Sequence, residues 1–302
     1  MAWSIKPKHW PSHIFHQLDY SVEERIYETQ TTVKLCNRTH QHGKTVDRKS
    51  TITTLIVTAA AANYDTQIGE YYHCSDSSLT TIPVDIPSGT KILRLTSNGI
   101  SNFASFPELP LLEVIHLETN YLTAFPDLRN VSTTLRYLRL DRNLINWISE
   151  DRLSGLNSLE ALILSNNRLS ALPDVEMKHL EALIIDGNQL MANLAVLPRL
   201  GRTIANLKLG HPTMDPVSLV SLEAIPQLKT LTMERSGLRE LPPVIEANPM
   251  LRKLYIRGNY IQELPEHLFV ALRILWYVDI RDNYMNTFPD VCHLQVVTAQ
   301  AR

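Results

Sequence analysis

Cysteine is scarce in this chain: Cys36, Cys74 and Cys292 are its whole complement. Three thiols cannot staple a small disulfide scaffold, their spacing fits no zinc motif, and at most one bridge and one thiol are left open. Long apolar runs are missing too, and none approaches the roughly 20 residues that a transmembrane helix needs. Neither charge is in excess: 29 Lys and Arg stand against 31 Asp and Glu, a formal net charge of -2. A binder of phosphate backbones needs clustered surplus cations, so no nucleic acid is expected as a partner. The motifs of catalysis are also lacking. No G-x-S-x-G, H-E-x-x-H or kinase signature occurs, so no catalytic residue is assigned and no enzyme is expected. His9, His13 and His16 have Pro11 among them and neither carboxylate nor cysteine beside them, so they read as a solvated tail and no metal is expected. Gly43-Lys44-Thr45 has Arg38 where a phosphate loop requires its leading glycine, and no cofactor is expected.

What the chain does have is repetition. The pattern L-x-x-L-x-L-x-x-N-x-L runs through LEVIHLETNYL (112–122), LRYLRLDRNLI (135–145), LEALILSNNRL (159–169), LEALIIDGNQL (180–190) and LRKLYIRGNYI (251–261). It returns with substitutions as LWYVDIRDNYM (275–285), and weaker copies begin at Thr90, Ile204 and Leu228. The asparagine position falls at 98, 120, 143, 167, 188, 212, 236, 259 and 283, never fewer than 21 nor more than 24 residues apart. Nine copies in one phase cannot be chance.

That spacing has a physical reading. In each copy x-L-x-L-x makes a short strand whose alternate side chains, such as Leu138 and Leu140 or Leu162 and Leu164, point inward. One unit cannot bury its leucines alone; stacked units make a parallel sheet with a continuous apolar core behind it. The asparagines turn the chain out of the strand, and their amides are suited to satisfying backbone groups of the turn and of the adjacent repeat. Pro212 and Ser236 occupy the asparagine position in two copies, where the ladder should be irregular.

Spacing and consensus resemble the leucine-rich-repeat superfamily over about residues 74 to 290. The resemblance implies an α/β solenoid, a horseshoe with a parallel β-sheet on its concave face and irregular or short helical turns on its convex face. Cys74, Leu79, Ile82, Pro83, Ile86, Pro87 and Thr90 follow, in order, the end of the cysteine-type N-terminal cap of secreted members. Segments 148–159 and 264–275 resemble the convex half of the 24-residue class common in animal receptors and matrix proteins. The organisation implied is an unassigned segment 1–73, an N-terminal cap 74–89, nine repeats over 90–286, and a tail or partial cap 287–302. The usual cap carries four cysteines, whereas here only Cys36 precedes Cys74, so a Cys36–Cys74 disulfide is implied by the resemblance alone.

Within the first segment, 47–62 has a basic flank, an apolar stretch and small residues at Ala60, Ala61 and Ala62, like a signal peptide displaced inward. The other reading is an ordinary β-prone segment packed near the first repeat. Cleavage near Ala62 would remove Cys36, so cleavage and the Cys36–Cys74 bridge are alternatives. Sequons at Asn37 and Asn130 permit glycosylation of a secreted chain.

Strand positions between the inward leucines face the concave surface. The central ones are Arg94, His116, Arg139, Ile163, Ile184, Lys208, Thr232, Tyr255 and Asp279; the next outward ones include Glu118, Asp141, Arg257 and Arg281. Three zones result. A charged zone holds Tyr137, Arg139, Asp141 and Arg142. An apolar zone holds Ala161, Ile163, Ala182 and Ile184. A C-terminal zone collects Tyr255, Arg257, Trp276, Tyr277 and Arg281. Tyr, Trp and Arg dominate interface hot spots, which makes the C-terminal zone the first candidate for a protein partner; Trp276 reads equally as a cover for the solenoid end. Nine strands at about 4.8 Å span roughly 40 Å. At about three residues wide that is on the order of 400 Å² of flat area, against about 800 Å² per partner in a standard interface, so a tight partner must also touch the flanking loops. The resemblance implies protein binding at an extracellular or cell-surface location, in a receptor, adhesion or matrix protein. The alternatives are a cytoplasmic scaffold or regulator binding a small GTPase or phosphatase, and the recognition part of a longer receptor carrying an enzymatic domain.

Overall fold

Alternation of apolar and outward side chains makes each repeat a three-residue strand, and the computed structural model stacks them in chain order. It describes residues 33–35, 70–103, 105–190, 196–210, 225–286 and 296–298. Outside the described residues lie the stretch 47–62, Cys36, Asn37, Pro212, Cys292 and most of the tail. The nine repeats supply β3 (Ile92–Arg94), β4 (Val114–His116), β5 (Tyr137–Arg139), β6 (Ala161–Ile163), β7 (Ala182–Ile184), β8 (Asn206–Lys208), β9 (Thr230–Thr232), β10 (Lys253–Tyr255) and β11 (Tyr277–Asp279). Three further strands extend the sheet: β1 (Val33–Leu35), β2 (Tyr71–His73) and β12 (Val296–Thr298). All twelve form one parallel sheet in the order β1 to β12.

Register is constant from end to end: Leu138 pairs with Ile115 and Leu162, and Leu254 with Leu231 and Val278. Every repeat therefore sets its middle strand residue against the same residue of the next, building the core as columns. Leu138, Leu162, Leu183 and Leu254 lie in one column; Leu140, Leu164, Ile185 and Ile256 lie in the next, all fully buried. The convex side returns through short segments, as expected of these turns. They include α1 (Glu150–Ser154), α2 (Leu197–Leu200), α3 (Glu266–Ala271) and 3-10 turns at Arg129–Val131 and Pro243–Ala247.

The asparagine ladder has a precise division of labour. The backbone turns one residue earlier, where Ser97, Thr119, Arg142, Asn166 and Asp282 take φ of 53 to 58°, a left-handed conformation. Gly187 and Gly258 hold the equivalent place at 69 and 74°. A Cβ at Gly187 would stand 2.5 Å from Asn166 Oδ1, so a larger residue there meets both strain and a clash. The asparagine then bridges two repeats. Asn143 Nδ2 donates to Leu117 O of the preceding repeat and Leu140 O of its own, each at 3.0 Å, while its Oδ1 accepts from Leu122 N at 3.1 Å. Asn120, Asn167 and Asn283 repeat this arrangement. Ser236 is shorter: its hydroxyl reaches only Glu234 O, within its own turn, and its N–H donates to Asn259 Oδ1.

A buried carboxylate ties consecutive repeats on the convex side. Asp127 is 7% exposed; Arg129 grips it through Nε at 3.0 Å and Nη2 at 2.6 Å. Arg152 of α1, one repeat on, reaches it at 2.6 Å. The Arg129 hydrogen bonds, helped by the Arg152 charge and opposed by burial, hold the Asp127 pKa down to about 2. The folded value lies below the unfolded one of about 3.9. The pair therefore stabilises above the unfolded value, and that contribution is lost as pH falls through about 2. Wild type is expected to lose stability between about pH 5 and pH 2 more steeply than Asp127→Asn, in denaturant midpoints measured across that range. Equal slopes would show that the carboxylate is idle.

Candidate concave recognition surface

Three columns of outward side chains line the concave face, one from each outward strand position and one from the residue two further along. Position in a column fixes the face but not the exposure. Tyr137, expected on the partner surface, is 2% exposed. It packs in a second apolar cluster with Ile92, Val114, Ala161 and Ala182, and its ring lies 5.7 Å from that of His116. His116, Ile163, Thr232 and Asp279, all expected at exposed central positions, are buried as well. The reason is crowding, because neighbouring strands about 4.8 Å apart cover any side chain flanked by others of equal height. The apolar zone read at Ala161, Ile163, Ala182 and Ile184 thus continues towards the N-terminus through Val114 and Ile92, with Tyr71 packed against it.

The charged zone is neutralised from within. Arg139 Nε is 2.8 Å from Asp141 Oδ1 and 3.9 Å from Glu118 Oε1, and His116 Nδ1 is 3.6 Å from the same Glu118 oxygen. Burial works to raise the Glu118 pKa, but the His116 hydrogen bond and the charges of His116 and Arg139 together bring it below its usual range. Burial pushes Asp141 up against the pull of Arg139. Arg139 is therefore half-buried and paired with two carboxylates, whereas Arg142 is exposed, at the left-handed turn.

The C-terminal zone is the aromatic part of the face. The rings of Tyr255 and Tyr277 lie 5.0 Å apart, and Trp276 meets Tyr277 edge-on at 6.0 Å. All three are half-buried, presenting apolar surface on a fixed frame. Lys253 Nζ stands 5.2 Å from the Trp276 ring centre. Burial, then the neighbouring Tyr277, Asp279 and Glu234, push the Tyr255 pKa to about 12, so its hydroxyl keeps its proton. Arg281 is held by Asp279 at 2.6 Å and Arg257 by Asp282 at 2.8 Å. The two arginines are thus oriented, each with a carboxylate beside it. Beyond this face Tyr260 and Tyr284, both exposed, stack at 5.7 Å and 12° along the flank.

Trp276 stands immediately before its strand, and Lys229 and Arg252, at the same place in the two preceding repeats, are residues that the sequence reading does not single out. The signal was available, since a constant register makes that position a column of its own.

Of the remaining sequence candidates, Asn130 is exposed and its amide donates to Phe106 O at 2.7 Å. Cys74 is buried, its carbonyl accepting from Asn98 Nδ2 at 2.8 Å. Its candidate disulfide partner Cys36 lies outside the described residues. Among the described residues no helix is long and apolar enough to cross a membrane.

Comparison with known proteins agrees with this architecture. A family profile described as Leucine rich repeat matches residues 133–190. Human leucine-rich repeats and immunoglobulin-like domains protein 1 is 29% identical over 57% of the chain and 16% of its own length. Mouse leucine-rich repeat transmembrane protein FLRT2 is 28% identical over 70% of the chain and 36% of its own length. The chain thus spans well under half of these relatives. A solved octameric complex of Latrophilin 3, Unc5D and FLRT2 contains a chain with a TM-score of 0.53 and 24% identity, covering 74% of this chain and 79% of that one. An internalin from Listeria monocytogenes has a TM-score of 0.51 at 17% identity, over 74% of this chain and 64% of its own. With its repeats in constant register, its inward leucine columns and its asparagine ladder, the chain has the solenoid fold of leucine-rich-repeat proteins.

Proposed function

We propose that the chain is the recognition part of an extracellular or cell-surface protein and that it binds a protein ligand through the C-terminal half of its concave face. One observation carries this reading: Tyr255, Trp276 and Tyr277 form a contiguous, half-exposed aromatic patch on a rigid sheet. Aromatics held this way bring a large contact area at little entropic cost, which is the chemistry of an interface hot spot. The N-terminal half offers less, because its charged groups are largely buried and paired with one another around Glu118 and Asp141. Relatives named as a transmembrane protein and as an immunoglobulin-like-domain protein support the location, and so does the presence of FLRT2 in a multiprotein complex. The exposed sequon at Asn130 is compatible with it. Nothing in this reading calls for a cofactor or a catalytic group.

The test is a binding screen of the purified chain against an array of cell-surface and matrix ectodomains. The Tyr255→Ala/Trp276→Ala variant is run beside wild type. A ligand of this surface is expected to bind at least about thirtyfold more weakly to the variant, the loss of one hot spot of about 2 kcal/mol. Circular dichroism should stay unchanged. Full affinity in a folded variant would move the site to the convex side or the loops.

A further inference from the structure

The residues that immediately precede each strand form a column along the edge of the concave face, and its charges change character along the solenoid. In the N-terminal half each cation of this column has an acid beside it: Lys91 lies 2.8 Å from Glu70, and Arg136 lies 2.6 Å from Glu160. After Glu160 the alternation stops, with Glu181 and Ala205 next in the column. Lys229 and Arg252 follow one another, and Lys253 begins the adjoining strand. The three are close together by construction. Arg252 N and Lys253 N both donate to Lys229 O, at 2.8 and 3.0 Å, and Trp276 N donates to Arg252 O at 3.0 Å. Lys229 and Arg252 are exposed, and Lys253 is half-buried against the Trp276 ring. Among the described residues no carboxylate lies within ion-pair distance of any of the three. On the concave face of these repeats Glu234, Asp279 and Asp282 stand further towards the opposite edge of the sheet, and Arg281 and Arg257 occupy the last two.

Three neighbouring cations without counter-charges, bordered by an indole, have a definite chemical complement. Resting on the proposed protein-binding role of this face, we infer that an acidic segment of the protein ligand lies along this edge. Its carboxylates face Lys229, Arg252 and Lys253, and an aromatic or apolar side chain packs on Trp276. An extended segment can use the site: backbone steps of about 3.3 Å place alternate carboxylates about 6.6 Å apart, and the long lysine and arginine side chains span the difference from the strand spacing of about 4.8 Å. A long polyanion such as a sulfated polysaccharide fits less well. The cationic strip covers only two strands, the chain carries a net charge of -2, and the aromatic patch beside it favours a peptide. Because the cations are largely exposed, their main contribution is to association rate and to choice of partner, and it weakens with salt.

The experiment uses two fluorescein-labelled synthetic peptides, one of glutamate and aspartate around a central tyrosine and its lysine counterpart, titrated by fluorescence anisotropy at low and physiological salt. Wild type should bind the acidic peptide and not the basic one. Lys229→Glu/Arg252→Glu/Lys253→Glu should lower that affinity about tenfold, the sum for three exposed pairs, and should gain binding to the basic peptide, with a circular dichroism spectrum like that of wild type. Arg136→Glu, at a column position where the cation is already paired, should bind the acidic peptide like wild type. Equal affinity for both peptides, or no loss in the triple variant, overturns the inference. So does a heparin oligosaccharide that binds in place of the acidic peptide and is lost in the triple variant. An ectodomain ligand that is lost in Tyr255→Ala/Trp276→Ala but keeps its affinity for the triple variant would leave the concave reading standing and remove only the acidic segment.

Discussion

Truncating Leu164 to alanine is expected to destabilise the protein by about 2–5 kcal/mol, the range for deleting a large buried aliphatic side chain. Leu164 is fully buried, at the second inward position of its repeat, with Leu140 and Ile185 at the same level in the adjacent repeats. The main-chain ladder holds all three turns in place: Leu164 N donates to Ile184 O, and Leu140 N to Ile163 O, each at 2.8 Å. The surrounding turns therefore cannot close fully on the space left behind, and the loss includes contacts as well as transfer free energy. Each repeat touches only its neighbours, so the damage should begin locally. In hydrogen exchange, amides of β5, β6 and β7 should lose protection first, with β10 and β11 affected only when the array melts. Leu111→Ala, at a side chain 49% exposed, serves as the control and should shift stability by no more than about 0.5 kcal/mol. An unchanged urea midpoint for Leu164→Ala would mean that the repeat register is wrongly assigned.

That register is what the sequence conveys best. Leucines at two alternate positions and an asparagine three residues later recur closely enough that strands, core columns and turns can all be placed before any coordinates exist. The strands outside the repeats are another matter. Tyr71–His73 carries no leucine pair, yet it pairs with Ile92–Arg94 in full register, because a parallel ladder needs only backbone groups beside an open edge. Val296–Thr298 extends the other end in the same way, beyond the last asparagine. The candidate surface was legible in its faces and not in its exposures. Alternation says that Tyr137 points out of the core. That Val114, Ala161 and the His116 ring then cover it depends on the neighbouring strands, which lie more than 20 residues away in sequence. Charge pairing is hidden for the same reason: Arg139 looks like a free cation until Glu118 and Asp141 are brought beside it. Lys229 and Arg252 become neighbours only when repeats are aligned on the residue before the strand, a position that consensus matching ignores.

The asparagine ladder, like the leucine columns, should prove intolerant. Asn143 is 4% exposed, and removing its side chain in Asn143→Ala leaves Leu122 N without a partner and takes one of two amide donors from Leu117 O and Leu140 O, which keep Asn120 and Asn167. At about 1–3 kcal/mol for a buried group left unsatisfied, with the two weakened carbonyls in addition, the loss should overlap the range of Leu164→Ala, although far less apolar surface is removed. Asn143→Asp separates the two halves of the amide's role. It keeps an oxygen to accept from Leu122 N, but it replaces the donor with a carboxylate among the carbonyl oxygens of Leu117, Leu140 and Asp141. Burial and those oxygens disfavour the charged form, so the folded-state pKa of the new carboxyl must rise above its unfolded value of about 3.9. The sign follows: below about pH 3.9 the group is protonated in both states and can donate, and as pH rises the folded protein pays a growing penalty. Asn143→Asp is therefore expected to be closest to wild type in acid and to fall further behind as pH rises towards 7, whereas the deficit of Asn143→Ala should not depend on pH. Denaturant midpoints of the three proteins at pH 4, 5.5 and 7 decide the matter. If Asn143→Asp keeps a constant distance from wild type across that range, the amide nitrogen is not the group that holds successive turns together.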